Sequence, residues 1–221
     1  MGIDLPDLAQ DTPLWLALLT TGVGALEGAA RSRGSIDRDF DLVGAFVCAL
    51  FLGLGGGLAR DVLLGNDPVE AIRTPWYIVV VVGCTAFVLT FRRFIPAPRS
   101  VPMLFLDALT LGLYAAIGVQ TALSFHVDLV GAVVVGLFAS LTGGVIVSLL
   151  LQERPALLRP GPPYGLLALA GVVTYVLLSP LGLGLASCAC LAVVVLLRWA
   201  TLRWHVNTHP VGPLQGPESS G

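Results

Sequence analysis

The chain has 221 residues, of which 56% are hydrophobic and only 12% charged, with a mean hydropathy of +0.88. A soluble domain of this size carries about a quarter charged residues, so lipid is expected as the main solvent. A net charge of −2 with no basic run or aromatic-basic patch argues against a nucleic-acid partner. The 12 basic residues are all arginine, which excludes Schiff-base and P-loop lysine chemistry.

The first residues, "MGIDLPDLAQDTP", are acidic and lack both the basic n-region and the cleavage site of a secretory signal, so the first apolar segment is expected to be retained. A spanning helix needs roughly 20 mostly apolar residues. Seven such segments follow, at 14–31, 41–64, 75–92, 103–123, 128–151, 163–180 and 182–203. Short connections rich in Gly, Pro, Asp and Arg separate them. The tail 204–221 is polar and Pro/Gly-rich, the composition of a disordered segment. The expected fold is therefore an all-α integral membrane protein of seven transmembrane helices.

Arginine placement orients them. If successive loops alternate sides, one side receives Arg31, Arg33, Arg38, Arg92, Arg93, Arg99, Arg154, Arg159, Arg198 and Arg203, while the other receives Arg73 alone. The positive-inside rule then puts the N-terminal segment 1–13 outside and the C-terminus in the cytoplasm. Trp199 and Trp204 suit an interfacial belt near the inner end.

The sequence also contains a repeat. Residues 42–68 align without gaps to 129–155, an offset of 87, with 13 identities in 27 positions. Among these are Gly56/Gly143, Gly57/Gly144 and Pro68/Pro155, and Tyr77/Tyr164 keep the same offset beyond the window. Residues 14–92 and 103–180 thus form two three-helix repeats, with 182–203 outside the duplication. Because three is odd, the second repeat enters the membrane inverted relative to the first, the plan of many transporters and some channels.

Gly55, Gly56 and Gly57 fall near the middle of the second segment, and Thr142, Gly143 and Gly144 occupy the equivalent place in the fifth. Glycine costs about 1 kcal/mol in a helix interior relative to alanine. Small residues there either let helices pack closely or let them bend or unwind beside a water-filled path; the symmetric placement favours the second. These six residues are the expected pore or hinge positions.

Arg60 and Asp61 come one turn later. Neighbouring residues do not face each other on a helix, so a mutual salt bridge is not expected. They serve either as an interfacial pair that snorkels outward or as a charged vestibule or gate. Val147 and Ser148 stand at the equivalent positions, so this pair occurs once per chain. Glu27 and Asp107 lie towards the inner side, where each pairs with a loop arginine or attracts cations. Asp128 suits a helix N-terminus. Cys48, Cys84, Cys188 and Cys190 read as small buried hydrophobes. His126, His205 and His209 are expected to be solvated, and no ligand set for a metal or cofactor is visible. There is no catalytic triad or phosphate loop, so the chain is not expected to be an enzyme.

"GGGLARDVLLGNDP" (55–68), with Gly143, Gly144, Glu153, Arg154 and Pro155 in the second copy, resembles the repeat of bacterial seven-helix proteins related to trimeric intracellular cation (TRIC) channels, a repeat also described as a glycine-transporter domain. The resemblance covers residues 14–203. It implies a homotrimer in the bacterial inner membrane, with one pore per subunit lined by the second and fifth helices and permeable to potassium and sodium. A secondary transporter of a small solute such as glycine and a non-conducting membrane subunit are the alternatives.

Overall fold

The computed structural model describes residues 13–32, 41–97, 100–158 and 163–204. The N-terminal segment before residue 13, Arg33, Arg38, Arg99, Arg159, His205, His209 and the tail from residue 205 lie outside them. Eight α-helices are found among the described residues: α1 (Leu14–Ser32), α2 (Leu42–Leu64), α3 (Glu70–Arg73), α4 (Trp76–Thr90), α5 (Val101–Ser124), α6 (Leu129–Leu150), α7 (Tyr164–Leu178) and α8 (Leu183–Arg203). All but the one-turn α3 fall on the seven apolar segments of the sequence. Five are long and apolar enough by themselves to cross a membrane: α2, α5, α6, α7 with the turn that follows it, and α8. With 15 residues, α4 is about 22 Å long, short of the roughly 30 Å hydrocarbon layer.

The ends of α2 and α6 show how closely the two halves correspond. Asp41 caps α2 by accepting from Gly44 N at 2.8 Å, and Asp128, 87 residues on, caps α6 by accepting from Gly131 N at 3.2 Å. At the other ends Asn66 N donates to Asp61 O at 2.9 Å, and Glu153 N donates to Ser148 O at 2.8 Å. The residue before each donor is left-handed, Gly65 at φ 65° and Gln152 at φ 53°. Glycine adopts that conformation freely; a side chain there costs roughly 1–2 kcal/mol. The closure of α6 is thus kept by backbone geometry although the glycine that suits it is gone.

Packing follows the same plan. α1 packs on α2 and α4, and α5 packs on α6 and α7. α2 and α6 join the halves, and α8 covers α5 and α7. Ala25, Ala29, Ala49, Val81 and Val88 centre the first core, and Ala115, Val119, Ala132, Val172 and Tyr175 the second. Alanine at so many contacts lets backbones approach, as membrane interfaces require. Val130, Leu177, Leu181 and Leu196 point outward and are each more than 60% exposed, a surface suited to lipid rather than water. Trp199 and Trp204 are exposed as a belt requires. Cys48 and Cys190 are buried, but Cys188 is exposed, contrary to expectation, because it lies on the face of α8 turned away from the other described helices.

α2 remains an α-helix through Gly55, Gly56 and Gly57, and α6 through Gly143 and Gly144. Neither helix is unwound there. What the glycines allow is contact. A Cβ on Gly55 would stand 3.1 Å from Gly143 Cα, and one on Gly56 would overlap Ala139 O and the Tyr114 ring.

Candidate functional site

Two small cavities flank this α2–α6 contact. The first lies between Thr20 of α1, Gly53, Gly57, Arg60 and Asp61 of α2, Tyr77 of α4 and Tyr114 of α5. The second lies between Glu27 of α1, Asp107, Thr110 and Tyr114 of α5, Ser140, Gly143 and Gly144 of α6, and Tyr164 of α7. Their volumes are about 30 and 10 Å³, room for one or a few waters.

The repeat generates both. Moving 87 residues along the chain takes Thr20 to Asp107, Gly53 to Ser140, Gly57 to Gly144 and Tyr77 to Tyr164. The same step takes Glu27 of the second cavity to Tyr114 of the first. Thr20 and Glu27 are two turns apart on α1, so the cavities are separated by about 10 Å along that helix. Tyr114 lines both, and its hydroxyl donates to Gly53 O. The open backbone carbonyl, created by a helix of small residues, anchors the ring between the two spaces.

Each cavity holds a buried ion pair, built differently. In the first, Arg60 Nε donates to Asp61 Oδ1 at 2.7 Å and Arg60 Nη2 lies 2.6 Å from the same oxygen. The expectation that these neighbours would not pair is therefore corrected. Adjacent Cα atoms are only 3.8 Å apart, and the long arginine side chain folds back across the 100° step between them. The snorkelling alternative also falls, since Arg60 is 8% and Asp61 1% exposed. Arg60 Nη1 also donates to Thr121 Oγ1 of α5 at 3.3 Å. Asp61 Oδ2 accepts from Glu70 N at 2.8 Å, tying α3 and its loop to α2. The carboxylate thus accepts from a guanidinium and a main-chain amide, which is what a buried charge requires.

In the second cavity Arg198 Nη2 of α8 donates to Asp107 Oδ2 at 3.1 Å, and the Tyr164 hydroxyl donates to Asp107 Oδ1 at 2.9 Å. The Arg198 guanidinium also lies 5.6 Å from the centre of the Tyr164 ring. The partner of Asp107 was expected in a loop; it comes instead from a helix outside the duplication. Glu27 pairs at 3.6 Å with Arg31, one of the arginines counted with the first inner loop, which the structure places one turn on in the same helix.

Of the glycine-level residues, Gly57, Gly143 and Gly144 reach a cavity, whereas Gly55, Gly56 and Thr142 do not line either one. Thr142 Oγ1 is occupied by Phe138 O at 2.6 Å. The four charged candidates all reach a cavity, Arg60 and Asp61 the first, Glu27 and Asp107 the second. Sequence reasoning missed Tyr114, Arg198 and Thr20. The Tyr77/Tyr164 match at offset 87 was the available signal for the cavity walls, and following it from Glu27 leads to Tyr114.

A family model described as glycine transporter matches the chain twice, at residues 14–93 and 104–180. The TRIC trimeric intracellular cation channel orthologue from Rhodobacter sphaeroides is 31% identical, with a TM-score of 0.74 over 87% of this chain and 96% of that one. The chain belongs to the TRIC channel family. Another solved TRIC cation channel, at 24% identity, has a TM-score of 0.76 over 91% of this chain and 98% of that one, a likeness of fold. The inner membrane protein YadS of Escherichia coli is 29% identical over 198 residues, covering 87% of this chain and 93% of its own length. A TRIC-family chain with these apolar helices is a membrane protein. Its ion pairs and tyrosines sit in the part of the fold that the family model covers, except Arg198, which lies beyond residue 180.

Proposed function

We propose that this protein is a monovalent cation channel of the TRIC type, conducting potassium and sodium through a pore within each subunit of a homotrimer. The observation that carries the reading is the pair of small cavities, each reached by charged side chains and related by the repeat, that share one tyrosine. Joined end to end they make a path lined throughout by α1, α2 and α5, with α6 at its second half, and displacing the Tyr114 ring joins them. Seven membrane crossings, with α1 and α4 held by their neighbours, complete the inverted arrangement. The Rhodobacter sphaeroides relative is a trimeric cation channel, and the YadS relative is an inner membrane protein. The arginine distribution supports an outer N-terminus and a cytoplasmic C-terminus. The first cavity then faces outward and the second, beside Arg31, inward.

Each acid at the cavities has an arginine partner, Asp61 with Arg60, Asp107 with Arg198 and Glu27 with Arg31, so no strong cation trap blocks flow, a condition for conduction. Recording from the purified protein in planar bilayers tests this. Discrete cation-selective currents are expected; silence with saturable counterflow of labelled glycine would replace the channel with a carrier. The carrier is the second reading because the matching family model is described as a glycine transporter and two cavities on either side of a barrier also suit alternating access.

A further inference from the structure

We propose that Glu27 is a proton-binding site in the second cavity, its carboxyl holding one exchangeable proton in the space that Asp107 also lines. Glu27 is 1% exposed, and its Oε2 has no hydrogen-bond partner among the described residues. Arg31 approaches only Oε1, at 3.6 Å, and is itself partly exposed. A buried carboxylate oxygen without a protein donor loses much of its hydration, which disfavours the charged form. Asp107 lines the same small cavity as Glu27, and two ionised carboxylates are both acceptors. The neighbouring Thr110 hydroxyl donates to Leu106 O, and Tyr164 and Arg198 already donate to Asp107. A proton on Glu27 Oε2 supplies the missing donor and removes one of the two like charges at once.

The remaining groups do not supply that donor. Arg31 on α1 and Arg198 on α8 face the pair as cations, and Tyr114 of α5 is spent on Gly53 O. From α2 the contact is Cys48, through its carbonyl beside Gly28, and from α4 it is Cys84 beside Gly22. α6 contributes Ser140, whose hydroxyl donates to Leu137 O. With the proton bound, the cluster around the second cavity carries one more positive charge than without it. Cation passage past this point therefore increases as pH rises. This last consequence rests on the channel reading, while the site itself does not.

The test separates the two. Protein labelled with carbon-13 at the glutamate side-chain carboxyl is placed in lipid nanodiscs, and its infrared spectrum is followed from about pH 5 to pH 9. A labelled carboxylic-acid band that disappears with rising pH is expected. Glu27→Gln should remove it, and Glu27→Asp should move it to the unlabelled position. Cation current in bilayers should rise several-fold over the same range in the wild type and stay flat in Glu27→Gln. If the labelled protein shows only ionised glutamate throughout, or if the band survives Glu27→Gln, the site is overturned. The wild-type and Glu27→Asp spectra decide the matter should Glu27→Gln fail to assemble. A titrating band in a protein that carries no current at any pH supports the site and overturns the channel.

Discussion

Arg198 of α8 donates to Asp107 of α5 at 3.1 Å and so gives the second cavity the ion pair that its own repeat lacks. The first repeat carries Arg60 and Asp61 within α2, while α6 has Val147 and Ser148 at the equivalent positions. The helix outside the duplication restores the balance. The pair is buried, with side-chain exposures of 8% and 10%. Removing one member strands the other, which costs about 3–5 kcal/mol, whereas replacing both by apolar residues is close to neutral. Arg198→Met should therefore lower the unfolding midpoint in detergent sharply, and Arg198→Met with Asp107→Leu should recover much of the loss. Equal effects of the single and double variants would mean that the pair contributes no coupling.

Tyr114 gives a second prediction. Its hydroxyl donates to Gly53 O, and its ring stands between the two cavities. Tyr114→Phe keeps the ring and loses one hydrogen bond, worth about 1 kcal/mol. In bilayer recordings its open probability should rise about fivefold at unchanged unitary conductance. Tyr114→Ala removes the ring itself and should leave the path joined. Wild-type gating in both variants would move the barrier elsewhere.

The extent to which these parts are visible in the sequence depends on the physics behind each. Helix positions follow from apolar length, so α2 and α6 fall within a residue of the expected 41–64 and 128–151. The acid before each of them acts as a cap, a local interaction that spacing alone reveals for Asp128. Arg60 and Asp61 were misjudged because a rule about helix faces ignores how far a guanidinium reaches. Arg198 was invisible as a site residue. At the end of a terminal helix it looks like an orienting charge, and only the packing of α8 on α5 brings it to Asp107. Glycine clusters announce that something needs space, yet which glycine meets a backbone and which meets a cavity is a tertiary fact.

The glycines can be separated by experiment for that reason. A Cβ at Gly57 meets nothing within 4 Å, whereas one at Gly55 comes to 3.1 Å of Gly143 Cα. Gly57→Ala should therefore leave the unfolding midpoint unchanged or raise it, since alanine favours the helix by about 1 kcal/mol. Because Gly57 lines the first cavity, larger residues there should reduce unitary conductance while the protein stays folded. Gly55→Ala forces two backbones apart and should cost about 1–3 kcal/mol. Loss of assembly with Gly57→Ala and none with Gly55→Ala would reverse this assignment.

Asp61 carries the last prediction. Its Oδ1 accepts from Arg60, and its Oδ2 accepts from Glu70 N at 2.8 Å, at the head of the one-turn α3. The loop is tied further by Arg73 Nη2, which donates to Asp67 O at 2.9 Å. Asp61→Asn keeps a carbonyl oxygen able to accept one of these donors but removes the charge facing Arg60. Asp61→Ala removes both acceptors and leaves a buried cation beside Thr121. Hydrogen exchange over residues 65–75 should therefore accelerate modestly in Asp61→Asn and by at least tenfold in Asp61→Ala, about 1.4 kcal/mol of local opening free energy. α6 should keep wild-type protection in both variants, because its end is closed by Ser148 O and Glu153 N instead. Uniform acceleration across α2 and α6 would show that Asp61 holds the whole fold, and unchanged exchange over 65–75 would show that the loop is fixed by α3 packing alone.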